Sequence, residues 1–426
     1  MNEVRDLEAV FYFHNVGQGG FYSGFIKNDD HDFNFVYDCG TFSGHKFLTD
    51  AISEIDGSMY SEQKLDLLVL SHLDADHVNG VSDLLTMGCI RRINILVMPY
   101  MTLLDRTILL SFYAKRKYDD SARYYEFLID PIGFFIDNDI HVDYIIFLSD
   151  ESDDSEVHED NILPFDHPEC KILGRNNKEK EKKIRKENRL HDKWIKNLYC
   201  IRNFKIIFEG IWKFEFWCDC RNINKDIYEK VTEKINELGL DVTDVKSVKN
   251  IFANNKKALA ECYKDIKKDP NDMSVVLLHY PLVEYVRIAI RQKWIEPFRN
   301  CCPFSCACYP LIDVHTNVNA TLLLGDINLK STLDLIWKYF NLKEKERKII
   351  VCTIPHHGSR YNWKKTILDR CENGIFVVSS GIHGRFKHPH KEVVDDFKYC
   401  FKPIFIWNNE YTKICMMIIN GYLIQN

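Results

Sequence analysis

Residues 71–80 read SHLDADHVNG and place two histidines and two aspartates within six positions. They follow the run LDLLVL at 65–70, which is apolar without alternation and predicts a buried strand. One interpretation is a polar turn in which an aspartate caps a helix that starts near residue 78. The other is one half of a metal site, because imidazole and carboxylate groups together suit Zn²⁺, Mn²⁺ or iron.

Four other predicted strands also end in residues of this kind. The residues that follow them are Asp38 after 33–37, Asp326 after 319–325, His356 and His357 after 348–354, and His383, His388 and His390 after 374–380. Ligands of α/β folds bind beyond the carboxyl ends of the strands. Because five clusters coincide, the sequence favours a metal site over a helix cap. No cysteine takes a clear ligand role in these turns, which argues against a zinc–thiolate site.

The pattern of strands and helices divides the chain into three parts. Strands alternate with helices over 1–100 and again over 273–426, which predicts an α/β fold with helices outside. Long stretches of helical spacing predict a mainly helical insertion over 101–272. We interpret its acidic stretch at 149–160 as a solvated loop and its basic stretch at 175–196 as an exposed helix. The alternative for the basic stretch is a surface that contacts phosphate groups.

Composition limits the partners and the compartment. The 426 residues include 56 Lys or Arg and 62 Asp or Glu, a formal net charge of −6, so a nucleic acid must be met by a local patch. No run approaches the roughly 20 apolar residues of a membrane span, and the first residues lack a signal-peptide pattern. We therefore expect a cytoplasmic protein with no membrane partner. Its cysteine groups at 301–308 and 217–220 are interpreted as packing rather than zinc ligands.

In their order, these motifs resemble the metallo-β-lactamase fold. The stretch at 71–80 resembles the family signature H-x-H-x-D-H, and its aspartate in the third position is common in the branch of the ComEC hydrolase domain. The other segments that resemble this branch are NVGQGG (15–20), YDCG (37–40), LLLGDI (322–327), IPHHGSRYN (354–362) and KHPHKEV (387–393). The resemblance covers 9–100 and 273–426, and it does not include the membrane channel of ComEC.

The resemblance implies an αββα sandwich with one or two divalent ions, zinc or manganese, at one edge. The ligands carried over by position are His72 and Asp74 for one ion, Asp76 and His77 for the other, Asp326 as a bridge, and His357 as a further ligand. Asp38 is expected to orient ligands, and His356 and Ser359 to support them or contact substrate. In the family, one more histidine completes the ligand set of the first ion. It has no clear counterpart here, although His279 and His315 lie in the right interval.

The chemistry that the resemblance implies is hydrolysis of a phosphodiester by a metal-bound hydroxide. Asp76 would fix the direction of attack, and His388 or His390 would act near the leaving group. The first hypothesis is a nuclease that acts on DNA or RNA, with 175–196 gripping the backbone. The alternatives are a hydrolase of a small molecule such as a cyclic nucleotide or a lactone, and a catalytically weak regulatory protein. The architecture also resembles effectors of bacterial antiphage defence, and the insertion offers a surface for a protein partner.

Overall fold

The computed structural model describes most of the chain. The described ranges are 7–28, 31–55, 63–116, 122–149, 162–163, 169–187, 197–219, 225–266, 273–282, 285–294, 312–314, 319–342, 348–371, 373–382, 387–398 and 403–422. The expectations for 301–308, for 150–160 of the acidic stretch, for 188–196 within the basic stretch, and for Cys220, His315 and His383 fall outside these ranges. Among the helices that are described, none is both long and apolar enough to cross a membrane.

The first part of the chain builds one side of the sheet. Its strands are β1 (Glu8–Phe13), β2 (Phe21–Lys27), β3 (Asp32–Cys39), β4 (Lys64–Val69) and β5 (Arg92–Pro99). β1, β2 and β3 are antiparallel neighbours, whereas β3, β4 and β5 run parallel. The helices between them are α1 (His45–Ser53), α2 (Ala75–Val78) and α3 (Val81–Met87). Because β3 and β4 are parallel, their carboxyl ends meet at one edge, where Asp38 and SHLDADH lie.

The middle of the chain continues the same sheet. Its helices are α4 (Leu103–Lys115), α5 (Ala122–Ile129), α6 (Pro131–Asp137), α7 (Lys178–Glu187), α8 (Lys225–Glu237) and α9 (Val245–Cys262), and its strands are β6 (His141–Leu148), β7 (Cys170–Asn176), β8 (Asn197–Phe208) and β9 (Trp212–Asp219). β6 extends the parallel strands from β5, β8 pairs with β6, and β9 pairs with β8. The described part of this insertion contains more helix than strand, as expected, but it also supplies β6, β8 and β9, which carry the sheet through the segment and were not predicted.

Two of these strands, β8 and β9, contain charged residues and were therefore not predicted from the sequence. Glu215 in β9 is buried, and its carboxylate lies 3.7 Å from Lys205 Nζ and 3.5 Å from Lys213 Nζ. Paired charges of this kind are tolerated inside a sheet, although in a sequence they read as a polar surface. Cys218 is buried in the same strand, in agreement with a packing role. The described part of 175–196 contains α7, in which only Ile184 is buried, as expected of an exposed helix.

The last part of the chain builds the other side of the sheet. Its strands are β10 (Ser274–Pro281), β11 (Tyr285–Trp294), β12 (Ile312–Val314), β13 (Asn319–Leu323), β14 (Lys348–Thr353), β15 (Ile375–Ser379), β16 (Ile404–Asn408) and β17 (Thr412–Tyr422), and its helices are α10 (Leu329–Tyr339), α11 (Ile367–Arg370) and α12 (Lys391–Lys398). β10 pairs with β9 and β13, and β13 to β16 run parallel. β17 pairs with β1, so the chain returns to its first strand.

The sheet folds back on itself, so that β9, which pairs with β10 of the last part, faces β3 of the first part. The rings of Phe35 in β3 and Phe214 in β9 lie 5.1 Å apart, and helices cover the outer surfaces. On one outer surface, Leu333 and Trp337 of α10 belong to an apolar cluster with Leu278 of β10. On the other outer surface, α3 contacts both α1 and β3. The order is helices, sheet, sheet and helices, which confirms the predicted α/β class with an αββα arrangement.

Candidate metal centre

The candidate site lies where strand ends from both sides of the sheet meet. The connection runs through the start of β10, where Val275 N donates to Ser71 O at 2.7 Å. Ser274 Oγ, one residue earlier, accepts from Asp326 N at 3.2 Å. A strand of the second half therefore holds the ligand block at 71–80 against the turn that carries Asp326.

Gly325 allows this close approach. Its φ of +54° lies in the left-handed region, and a Cβ there would lie 2.2 Å from Ser274 Oγ and 3.0 Å from Ser71 Cβ. Only glycine combines that conformation with so little space. The Gly-Asp pair thus turns the chain sharply enough to present Asp326 to both halves of the site.

The first group of candidate ligands consists of His72, His77 and Asp326, whose ligand atoms lie within 4.8 Å of one another. His72 Nε2 is 3.7 Å from Asp326 Oδ2, and His77 Nε2 is 3.4 Å from Asp326 Oδ1. Asp74 completes one side, with Oδ2 3.7 Å from His72 Nε2. Two ligands that each lie about 2.1 Å from a tetrahedral zinc ion are themselves roughly 3.4 Å apart, so these spacings suit a shared ion.

The second group consists of Asp76, His77 and His357, again within 4.8 Å of one another. Asp76 Oδ2 lies 3.1 Å from His357 Nε2, and Asp326 Oδ1 lies 3.9 Å from that same nitrogen. Asp326 therefore contacts both groups, which is the position of a bridging ligand. His356 stands at the mouth, about one third exposed, with Nδ1 3.6 Å from Asp326 Oδ2.

The protons of three imidazoles can be placed from their hydrogen bonds. His357 Nδ1 donates to the carbonyl of Ser379 at 2.8 Å, and His77 Nδ1 donates to Asp38 Oδ2 at 2.8 Å. Ser71 Oγ donates its single proton to Asp38 Oδ2 at 2.6 Å, so it accepts from His72 Nδ1 at 2.8 Å. In the neutral form of each ring, Nε2 then carries a lone pair.

These three Nε2 atoms test whether the residues fit a metal. The Nε2 atoms of His72, His77 and His357 are all buried and have no hydrogen-bond partner among the described residues. Buried polar atoms are nearly always paired, so three ring nitrogens that face carboxylates without a hydrogen bond require an explanation. A divalent ion supplies it, and the donor set of imidazole and carboxylate is one that zinc and manganese accept.

Asp38 anchors this arrangement. Its carboxylate accepts from Ser71 N at 2.6 Å, from Ser71 Oγ and from His77 Nδ1. Asp38 is almost fully buried, and its φ of 58° lies in the left-handed region. Sequence reasoning identified Asp38 but missed Ser71, although this residue stands directly before the first histidine of the motif.

Burial and charge set the ionisation of the site. Burial, followed by the nearby His77, lowers the pKa of His72 to about 4, so this ring is neutral. Burial alone would raise the pKa of Asp326, but the histidines around it, His356 first, lower that pKa well below its usual value. For His77, burial is outweighed by Asp326 and Asp38, which raise the pKa. A proton on His77 is therefore what a metal ion has to displace.

The turn at 356–358 carries backbone strain. His356 and His357 have φ values of 48° and 55°, in the left-handed region that non-glycine residues rarely adopt. Such conformations collect at functional sites, where the surrounding structure holds them. The structure places His357 inside the ligand cluster and His356 at its rim, which is the division of roles that the sequence predicts. Ser359 is buried and accepts from Tyr361 N at 3.3 Å, so its described contact supports the turn.

His388 and His390 extend the site outward. The ring centroid of His388 lies 6.3 Å from that of His357 and 4.7 Å from that of His390. His390 Nδ1 accepts from Arg360 N at 3.1 Å, which leaves its Nε2 for other contacts. Burial, followed by His357, lowers the pKa of His388 to about 3. His388 therefore faces the site as a neutral ring.

Two interpretations based on the sequence are settled by position. Asp74 stands at the start of α2, but its side chain makes no capping hydrogen bond, and α3 begins after Gly80. The helix-cap interpretation is therefore wrong for the described turn. His279 lies apart from the ligand cluster, with Nε2 hydrogen bonded to the Tyr22 hydroxyl at 3.0 Å and its ring beside Phe11. It is not the missing ligand of the first ion.

No protein-family model matches the chain, and no curated protein does. Solved structures that match include the metallo-β-lactamase-fold protein YhfI from Bacillus subtilis, at 12% identity and TM-score 0.21, over 48% of this chain and 59% of that one. A long-form RNase Z from yeast matches at 10% identity and TM-score 0.31, over 96% of this chain and 41% of that one. A protein of the metallo-β-lactamase fold is thus among the solved structures that match. The ComEC-like branch remains a prediction from the motifs.

Proposed function

We propose that this protein is a metal-dependent hydrolase of the metallo-β-lactamase type that cleaves phosphodiester bonds in DNA or RNA. One observation carries the proposal: three buried Nε2 atoms that lack a hydrogen bond converge on carboxylates, in two overlapping ligand groups. Two divalent ions close together provide charge stabilisation at a phosphoryl group and lower the pKa of water. The residues that would hold them are His72, Asp74, Asp76, His77, Asp326 and His357.

The residues of the chain divide the remaining work. Asp76 lies against His357, and its ionised carboxylate is placed to accept a proton or a hydrogen bond from the attacking water. Burial alone would raise the pKa of Asp76, but the close contact with the His357 ring and the charge of His77 lower it, so it remains ionised. His388, the neutral ring next to His357, is placed to donate a hydrogen bond to the leaving oxygen.

The site opens to the surface, as a polymeric substrate requires. Asp326 is 15% exposed and His356 is 33% exposed, whereas His72 beneath them is 1% exposed. Lys387 and Lys391, on either side of His388 and His390, are also exposed. These cations offer contacts to phosphate groups in a chain that is acidic as a whole. A phosphodiester backbone can therefore reach the metal ligands from solvent.

A small substrate is the second candidate, and a cleft favours it. A cleft adjoins the ligands and is lined by Gly20, Tyr22 and Ser379, among others. A cyclic nucleotide offers the same phosphodiester chemistry with less surface to recognise. The setting that we propose is the cytoplasm, in antiphage defence, and it rests only on the architecture that the sequence resembles.

The test is hydrolysis by the metal-loaded protein. Single-stranded DNA, duplex DNA, RNA and cyclic dinucleotides are incubated with the protein and Mn²⁺ or Zn²⁺, with EDTA as the blank. We expect Asp76→Ala and His77→Ala to abolish turnover while the circular dichroism spectrum is retained. The matched control is His141→Ala, because His141 is half exposed on β6 and pairs with Asp143.

Two results would overturn the proposal. Turnover that survives both substitutions would show that the site lies elsewhere. A protein that binds fewer than two ions per chain by elemental analysis and cleaves none of these substrates would favour the regulatory alternative.

A further inference from the structure

An exposed aromatic ring stands at the rim of the metal centre. Tyr361 is 62% exposed, and it is the only aromatic residue among the large apolar side chains that are exposed in the described ranges. It lies two residues after Ser359, in the turn that presents His357. An exposed ring next to a candidate phosphodiesterase site needs a reason, because apolar surface is normally covered.

The ring is held in place on the surface. Arg360 Nη2 donates to the Tyr361 hydroxyl at 3.0 Å, and the guanidinium carbon lies 5.0 Å from the ring centroid. Arg360 is itself paired with Glu392 of α12, so its side chain is tethered to a helix. Side chains held in this way lose little conformational entropy when a ligand binds. Tyr361 is thus preorganised, although its ring faces solvent.

A row of rings joins Tyr361 to the ligands. The centroid distances are 6.0 Å from Tyr361 to His390, 4.7 Å from His390 to His388 and 6.3 Å from His388 to His357. His357 belongs to the second ligand group. The exposed ring therefore lies at the outer end of a continuous path that starts at the metal centre.

We propose that Tyr361 stacks against an unpaired nucleobase adjacent to the phosphodiester that is cleaved, and that the substrate is single-stranded nucleic acid. This inference rests on the proposed function and names its substrate class. Bases of single strands expose their faces, and aromatic side chains that stack on them account for much of the binding to single strands. A duplex keeps its base faces covered by neighbouring pairs. Arg360, beside the ring, offers a planar cation to the same base or to a phosphate.

The test is a cycle that removes the ring and the base separately. Affinity is measured by fluorescence anisotropy in the inactive Asp76→Ala background, with oligo(dT), oligo(rU) and an abasic deoxyribose-phosphate oligomer of equal length. When Tyr361 is present, we expect the abasic oligomer to bind roughly five- to one-hundredfold more weakly than oligo(dT). In the Tyr361→Ala background, the abasic oligomer and oligo(dT) should bind alike. Tyr361→Trp and Tyr361→Phe should restore the difference, and the two base-bearing oligomers separate DNA from RNA.

The control is Leu335→Ala, since Leu335 is 48% exposed on α10 and should leave every affinity unchanged. If Tyr361→Ala weakens the binding of the abasic oligomer, or of a duplex, as much as the binding of oligo(dT), the stacking proposal is wrong. If the wild-type protein cleaves oligonucleotides and Tyr361→Ala leaves KM unchanged, the inference fails while the proposed function stands. If the wild-type protein neither binds nor cleaves any oligonucleotide, both fail.

Discussion

Asp38→Asn tests the protonation pattern on which the candidate metal centre depends. The carboxylate now accepts from Ser71 N, from Ser71 Oγ and from His77 Nδ1. A neutral amide of the same shape has only one oxygen, and Ser71 N–H requires it. The amide NH₂ then faces Ser71 Oγ and His77 Nδ1, so Nδ1 of His77 must become an acceptor. The proton of His77 moves to Nε2, which is the atom that faces Asp326.

The expected effect is on metal affinity more than on folding. A histidine with its proton on the ligand nitrogen cannot bind an ion without changing tautomer, and loss of such an orienting partner costs about 10- to 100-fold in metal affinity. The substitution also replaces hydrogen bonds to a buried carboxylate by weaker ones, which costs about 1–3 kcal/mol of folding free energy. The fold should survive, since the amide fills the same space.

The measurement is competition between the protein and a chromogenic chelator for Zn²⁺, with urea unfolding in EDTA to follow stability. Asp143→Asn is the matched control, because Asp143 pairs with Arg92 at the surface of β6. If Asp38→Asn binds Zn²⁺ as tightly as the wild-type protein, then either His77 Nε2 is no ligand or Asp38 does not set its tautomer. Unchanged affinity for Zn²⁺ would refute the reasoning under either explanation.

Two further predictions concern the turn at Gly325 and the buried ring of His279. A Cβ at Gly325 would meet Ser274 Oγ and Ser71 at 2.2 and 3.0 Å, so Gly325→Ala should destabilise the fold by more than the roughly 1 kcal/mol of left-handed strain and should weaken metal binding. Gly210→Ala, also at positive φ but with nothing within 4 Å, should show the strain alone, and equal losses in urea unfolding would argue against the contact. Burial lowers the pKa of His279 to about 3, so between about pH 6.5 and 3 the unfolded chain binds a proton that the folded chain does not. Stability should therefore fall as pH drops, by about 2 kcal/mol at pH 5 from this residue, and His279→Gln, which keeps a partner for Tyr22, should show a smaller loss in the same titration.

The sequence indicates the candidate ligands more clearly than the strands of the segment between them. His72, Asp76, His77, Asp326 and His357 each follow a buried strand, and parallel strands bring such residues to one edge whatever lies between them. The strand bounds of β4, β14 and β15 were also close to those expected, because continuous apolar runs identify buried strands. β8 and β9 were not predicted, because Glu215 and its lysine partners interrupt the alternation of apolar residues in these strands.

Contacts between distant residues account for the rest of what was missed. His279 lay in the right interval for a metal ligand, and only packing against Phe11 and Tyr22 removes it from the site. Tyr361 directly follows Arg360 in the motif at 354–362, and only its exposure and its ring contacts distinguish it from the other residues of that motif. Exposure and ring contacts depend on which segments meet in three dimensions, and local patterns do not carry that information.

A single carboxylate connects the two ligand groups. Asp38 fixes His77 directly and fixes His72 through the hydroxyl of Ser71. His77 belongs to both groups, and Asp326 contacts both from the opposite half of the fold. Because the two groups share His77 and Asp326, a change in the geometry of one group also affects the other. The first group has one imidazole of its own beside the carboxylates of Asp74 and Asp326, whereas the second has His357 as well as His77. Hard oxygen ligands favour Mn²⁺ and imidazole suits Zn²⁺, so Asp74 would make the two proposed ion positions chemically unequal, while Asp38 and Asp326 would keep them coupled.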